Sequence, residues 1–249
     1  MRKVALLTGV RRIGRFLAEA LLREGYDLGV VYRESGEAVE HLRELGAEVG
    51  GRVLPLQADL RDPLVCGKLV ERVCGELGRI DAFVHLASPY LRTPVGRITP
   101  EEIQEHFGPI AEAFVLMAQE AYLRMMENEG EVKGHILAFG DWAAEHTPYR
   151  GFTAYFISKG ALHTAVRVLA REFAPYVLVN CIALGPVLRP EDTTPASWRR
   201  ILKNTPLGRE VSLEDVVGLS LFLLRTTSVT GEVIRLDGGR HLAGSGGVR

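Results

Sequence analysis

Cysteine is scarce: Cys66, Cys74 and Cys181 are all that 249 residues contain. None stands in a C-x-x-C pair or near histidines at metal-ligand spacing, which excludes a disulfide framework and gives no reason to expect a metal. Cys66 and Cys74 are expected on the inner side of one helix, as small core side chains. Charge of one sign is missing too. Lys and Arg number 30 against 31 Asp and Glu, a formal net charge of -1, so no global field favours nucleic acid or an anionic membrane. Anion binding must come from local clusters. No apolar run approaches the roughly 18 residues that a membrane-spanning helix needs. The opening Met1-Arg2-Lys3-Val4-Ala5-Leu6-Leu7 is too short for a signal peptide, and Arg11-Arg12 follow closely; a cytoplasmic location is expected.

What is present is ordinary for a soluble enzyme: 47% hydrophobic and 24% charged residues. The length suits one α/β domain spanning residues 1–249. Short apolar runs alternate with helical patterns along the whole chain. Strands are expected at 4–7, 28–32, 52–57, 82–86, 134–139, 177–182 and 232–236. Helices are expected at 13–23, up to about Gly46, from Asp62-Pro63, over 101–128, over 153–173 and over 213–224. Residues 185–207 contain several prolines and read as an ordered loop or lid with a short helical patch. The glycine-rich stretch at 244–247 is expected to be mobile. Apolar strands without strict alternation, separated by helices, predict a doubly wound, Rossmann-type parallel sheet of about seven strands, covered on both faces.

Three places carry chemistry. Thr8-Gly9-Val10-Arg11-Arg12-Ile13-Gly14 lies between the first strand and the first helix. There glycine lets backbone approach a pyrophosphate, and a helix N-terminus offers free N–H groups. The usual G-x-G-x-x-G is absent, and a strand-to-helix turn with basic decoration is the alternative. The second strand ends in Tyr32-Arg33-Glu34-Ser35. An NAD site would place an acid at the strand tip; Arg33, with Arg11 and Arg12 from the first turn, suits the 2′-phosphate of NADP(H), although Glu34 dissents. Tyr155 and Lys159 share one helix face at i and i+4. A tyrosine ordinarily titrates near 10, so an ammonium beside it is needed to stabilise phenolate as its proton leaves. An exposed helix pair is the bland alternative.

Together these segments resemble the short-chain dehydrogenase/reductase family along almost the whole chain. The first turn is similar to its T-G-x-x-x-G-x-G, shortened by one residue and with arginine at the middle glycine, as in the pteridine reductase branch. The resemblance implies that Arg12 reaches both cofactor phosphates and substrate. It implies that Tyr155 donates the proton and that Lys159 binds the nicotinamide ribose and assists. It further places cofactor contacts at Gly9, Arg11, Ile13 and Gly14, at Tyr32, Arg33 and Ser35, at the adenine-side pair Asp59 and Leu60, at Ala87 and Ser88, and at Gly185, Pro186 and Val187. A homotetramer is implied as well.

Two departures from the family pattern bear on substrate. Asp141 stands where the catalytic serine usually ends the fifth strand, and Ile110 takes the place of the long-helix asparagine. His85-Leu86-Ala87-Ser88 replaces the familiar Asn-Asn-Ala-Gly. An aspartate at the serine position is a pteridine reductase trait and fits a substrate rich in N–H donors; a helix-capping or solvated aspartate is the alternative. Tyr90 matches the aromatic that stacks on the pterin in that branch, or else is packed under its loop. The substrate-binding candidates are therefore Arg12, Tyr90 and Asp141. The expected activity is hydride transfer from NADPH to a dihydropterin. A ketone or 3-oxoacyl reductase of the same fold and a non-catalytic NADP-binding protein stay open beside it.

Overall fold

The computed structural model describes residues 2–191 and 193–243; the glycine-rich stretch at 244–247 lies outside them. Seven strands form one parallel sheet in the order β3-β2-β1-β4-β5-β6-β7. They are β1 (Lys3–Thr8), β2 (Tyr26–Tyr32), β3 (Val53–Gln57), β4 (Ala82–His85), β5 (Gly134–Asp141), β6 (Val177–Leu184) and β7 (Val233–Leu236). The central strands are buried along nearly their whole length, as parallel strands covered on both faces must be.

Helices α1 (Ile13–Arg23), α2 (Gly36–Glu48) and α8 (Leu213–Leu223) cover one face. Leu17, Leu21, Leu42 and Val216 join Leu28, Val30 and Val84 of the sheet in that core. On the other face lie α3 (Cys66–Leu77), α4 (Pro100–Phe107), α5 (Ala113–Met125) and α6 (Thr153–Phe173). Val73, Phe114, Met117 and Leu162 pack there against Leu6, Phe83 and Ile136. Cys66 is fully buried and Cys74 packs against the same core.

The strand order reverses between β1 and β4. Loops leaving these two strands part to opposite sides and leave a crevice at their carboxyl ends, where ligands of such sheets sit. Each chemical segment of the sequence follows the carboxyl end of a strand, so the topology alone gathers them on one edge.

The helix expected over 101–128 is broken. Between α4 and α5, residues Gly108–Glu112 form one wide π turn. Pro109 is the cause: it has no N–H to return to Glu105, and its ring crowds that carbonyl. The lid region holds one helix, α7 (Pro195–Lys203), opened by Thr194, whose hydroxyl accepts from the Ser197 N–H at 3.2 Å.

Candidate active site

The turn after β1 is built by close approach. A Cβ on Gly9 would lie 2.7 Å from the Ala87 nitrogen, and Gly9 has φ of +79°; a Cβ on Gly14 would lie 2.3 Å from the Gly9 carbonyl oxygen. Larger residues would push the first turn off the β4 loop. Helix α1 then opens with no side-chain cap and no acid in its first turn. Its free N–H groups and partial positive charge remain available to an anion. This turn fits the pyrophosphate of a dinucleotide.

Around that turn the expected contacts divide. Ala87 and Ser88 follow β4 directly beside Gly9, and Gly185, Pro186 and Val187 follow β6. Ile13 is half-buried at the start of α1. The three arginines do not converge. Arg12 donates to the carbonyls of Leu188 at 3.0 Å and Arg189 at 3.1 Å, and Arg11 pairs with Glu191 at 2.8 Å. Both therefore tie the first turn to the segment after β6. Arg33 stands at the end of β2 beside Tyr32 and Ser35, exposed and paired with Glu34 at 3.0 Å. Asp59 is held by Arg61, whose guanidinium bonds both carboxylate oxygens and keeps the carboxyl below its ordinary range; its neighbour Leu60 is buried.

Asp141, Tyr155 and Lys159 do meet. The Tyr155 hydroxyl donates to Asp141 Oδ2 at 2.9 Å, and the Ala143 N–H donates to Oδ1 at 2.9 Å. Lys159, one turn further along α6, donates to the Phe139 carbonyl at 2.6 Å, with its ammonium 5.7 Å from the Tyr155 ring centre. All three side chains are buried. Burial pushes the Asp141 carboxyl and the Tyr155 hydroxyl up, and pushes Lys159 down to about 8. Each group is thus driven towards its neutral form, as desolvation requires.

Tyr90 packs beside Tyr155. One face of its ring stacks on Phe152 at 4.4 Å and 16°, and it meets Tyr155 edge-on at 5.0 Å. Tyr149 was not foreseen. Its hydroxyl donates to Asp141 Oδ2 at 3.3 Å and accepts from the Tyr90 hydroxyl at 3.1 Å. The only sequence signal was an aromatic residue in the loop between β5 and α6, two positions before the glycine that precedes Phe152.

His85 and Ile110 explain each other. The imidazole Nε2 donates to the Pro109 carbonyl in the π turn at 2.9 Å, which fixes the proton on that nitrogen, so Nδ1 accepts from the Thr8 hydroxyl at 3.0 Å. Thr8 Oγ1 in turn accepts from the Leu86 and Ala87 N–H groups. Burial pushes His85 down to about 3, so the ring stays neutral. One histidine joins the end of β1, the end of β4 and the helix break, while Ile110 fills the adjoining core.

A parallel sheet with its phosphate turn at the switch point and an acid–tyrosine–lysine group beside it defines a Rossmann-type oxidoreductase site. A family model described as enoyl-(acyl carrier protein) reductase matches residues 9–241, and the chain belongs to this short-chain dehydrogenase/reductase family. Dihydromonapterin reductase of Enterobacter sp. (strain 638) is 29% identical over 252 residues, 97% of each chain. The bovine (Bos taurus) 3-oxoacyl-[acyl-carrier-protein] reductase is 28% identical over 239 residues, 96% of this chain and 97% of that one. The crystal structure of FolM alternative dihydrofolate reductase 1 from Brucella suis, in complex with NADP, superposes with a TM-score of 0.89 at 30% identity, covering 96% of this chain and 95% of that one.

Proposed function

We propose that this protein is an NADPH-dependent reductase of dihydropterins. The observation that carries the reading is the 2.9 Å hydrogen bond from Tyr155 to Asp141, a carboxylate where a hydroxyl is usual, with the Tyr90 ring edge-on to that of Tyr155. Relatives named for dihydromonapterin and dihydrofolate reduction, one of them with NADP bound, support it. The bound nicotinamide would supply the hydride. Tyr155 gives the proton to the reduced nitrogen, and the Lys159 ammonium steadies the phenolate that forms. Asp141 accepts from pterin N–H groups, the Tyr90 ring packs against the heterocycle, and Arg12 joins them by exchanging its bonds to the Leu188 and Arg189 carbonyls for the substrate. The active form is a cytoplasmic homotetramer of single-domain subunits; Leu123 of α5 and Ile157 and Val168 of α6, all exposed and apolar, are available to a second copy.

Calorimetric titration of the NADP-loaded protein with a non-reducible pterin tests the substrate class. Binding is expected, and Tyr90→Ala should weaken it about tenfold, the worth of one stacked ring pair. No binding to the wild type would contradict the reading.

Cofactor choice rests on Arg33. A charge-assisted hydrogen bond contributes about 1.5–3 kcal/mol, so Arg33→Ala should weaken NADPH roughly 10- to 100-fold and leave NADH nearly unchanged. Equal losses in fluorescence titrations of the two cofactors would remove this role.

The pH profile follows from Lys159. Its folded value is pushed down to about 8, so the ammonium is present below that pH and lost above it. Since only the charged form stabilises phenolate, kcat/KM should fall about tenfold per pH unit above roughly 8. A rate that stays level to about pH 10, the ordinary lysine range, would contradict the assignment.

A further inference from the structure

Tyr149 lies in the loop between β5 and α6 with 37% of its surface exposed, yet its hydroxyl faces inward. Its ring is wedged edge-on against Phe152 at 5.5 Å and Phe156 at 4.6 Å, so packing fixes where the oxygen sits. Tyr90, equally exposed, donates to that oxygen, and Tyr149 donates onward to the Asp141 oxygen that also accepts from Tyr155. A continuous run of hydroxyl and carboxylate oxygens thus leads from the rim of the crevice to Tyr155, with the Tyr90 and Tyr149 donors both pointing inward.

Reduction gives such a run a task. Each hydride accepted by the substrate takes one proton from Tyr155 and leaves phenolate beside the buried Asp141 carboxylate. Two negative charges so close and so shielded from water repel strongly. The proton must be replaced before the next turnover. Ile110, where the family tetrad has a carboxamide, is buried hydrocarbon and can pass no proton.

We propose that Tyr149 is a proton-relay and positioning residue: through Asp141 it returns to Tyr155 the proton that each reduction consumes, drawing it from water by way of Tyr90. One O–H bond breaks and one forms at each oxygen. A hydronium ion at the rim gives a proton to Tyr90 and leaves as water, as the Tyr90 proton passes to Tyr149, the Tyr149 proton passes to Asp141 Oδ2, and that same proton passes on to the Tyr155 phenolate. One proton enters, the phenolate is neutralised, and Asp141 ends as the carboxylate it began as. The groups facing Asp141 are Tyr155 and Lys159 from α6, Tyr149 from its loop and the Ala143 N–H. Asp141, Tyr155 and Tyr90 face Tyr149, and the Arg92 guanidinium lies 5.2 Å from the neighbouring Phe152 ring. The proposal rests on Tyr155 being the proton donor, and it holds for a pterin or a carbonyl substrate alike.

Tyr149→Phe keeps the ring contacts and removes the hydroxyl. Stopped-flow reduction is followed with NADPH and 7,8-dihydrobiopterin, and in parallel with cyclohexanone. The first turnover should stay within about twofold of wild type. Steady-state kcat should fall about tenfold with a larger solvent deuterium effect, the signature of a slowed proton transfer. Tyr90→Phe should act in the same direction and more weakly, and it carries the test should Tyr149→Phe not fold. A measurement without substrate or cofactor is the infrared titration of the Asp141 carboxyl, assigned by difference from Asp141→Asn. Removing a donor from the carboxylate raises its midpoint, here by about half to one pH unit. An unmoved midpoint with unchanged steady-state kcat would overturn the proposal, as would an equal loss in first and later turnovers. The same burst pattern with cyclohexanone alone would sink the pterin reading and leave the relay standing.

Discussion

Tyr155→Phe is expected to lower kcat by about 10²- to 10⁴-fold, the range a positioned general acid contributes, while NADPH still binds. The substitution removes one oxygen and little else. The ring meets Tyr90 edge-on at 5.0 Å and Phe156 at 5.2 Å, and phenylalanine keeps both contacts. What goes is the hydroxyl bonded to Asp141. Lys159→Ala should differ in kind. It removes the ammonium proposed to steady the phenolate and also a buried donor to the Phe139 carbonyl, so both cofactor affinity and rate should drop. Titration of each variant with NADPH, followed by rate measurements, separates the two patterns. Near-normal turnover by Tyr155→Phe would mean that another group supplies the proton.

Asp141 variants should move two activities in opposite directions. A ketone that accepts hydride develops an oxyanion, and a buried carboxylate beside Tyr155 repels it. Serine can donate a hydrogen bond to the same oxyanion. A dihydropterin instead presents N–H groups, which a carboxylate accepts with charge-assisted bonds worth about 1.5–3 kcal/mol. Asp141→Ser should therefore cut dihydropterin kcat/KM about 10- to 100-fold and leave ketone reduction equal or faster. Asp141→Asn keeps the shape, loses the charge and should lose dihydropterin activity as well. Both variants lose the carboxylate that holds the Ala143 N–H and two tyrosine hydroxyls, so unchanged NADPH affinity is the control for an intact site. If both reduce dihydropterins as well as wild type, Asp141 only shapes the loop.

Some of this site could be read directly from the chain. Helices α1 and α6 have the bounds that periodicity predicts, because Gly25 and Pro175 end them and their apolar faces repeat cleanly. The pairing of Tyr155 with Lys159 needs only helical geometry. Asp141 was legible as a departure at a strand end, where a sheet of this topology places its chemistry. Other features depend on contacts that no local pattern encodes. The bond from His85 to Pro109 spans 24 residues and that to Thr8 spans 77. Pro109 lies in a run that otherwise reads as one helix, and periodicity alone does not show the π turn that it forces. Tyr149 sits in a loop, where no period fixes which way a side chain turns. The three arginines illustrate the converse: grouped by charge in the sequence, they are divided in the structure by Glu34, Glu191 and the carbonyls after β6.

The central claim is that the acid beside the tyrosine makes this a pterin site served by NADPH. Its most direct test is the rate of NADPH oxidation by the wild-type protein with 7,8-dihydrobiopterin, cyclohexanone and a 3-oxoacyl thioester, measured side by side. The kcat/KM for the dihydropterin should lie about 100-fold or more above that of either carbonyl substrate, equivalent to roughly 2.7 kcal/mol of preferential transition-state binding. A carbonyl substrate reduced as fast as the dihydropterin, or faster, would contradict it.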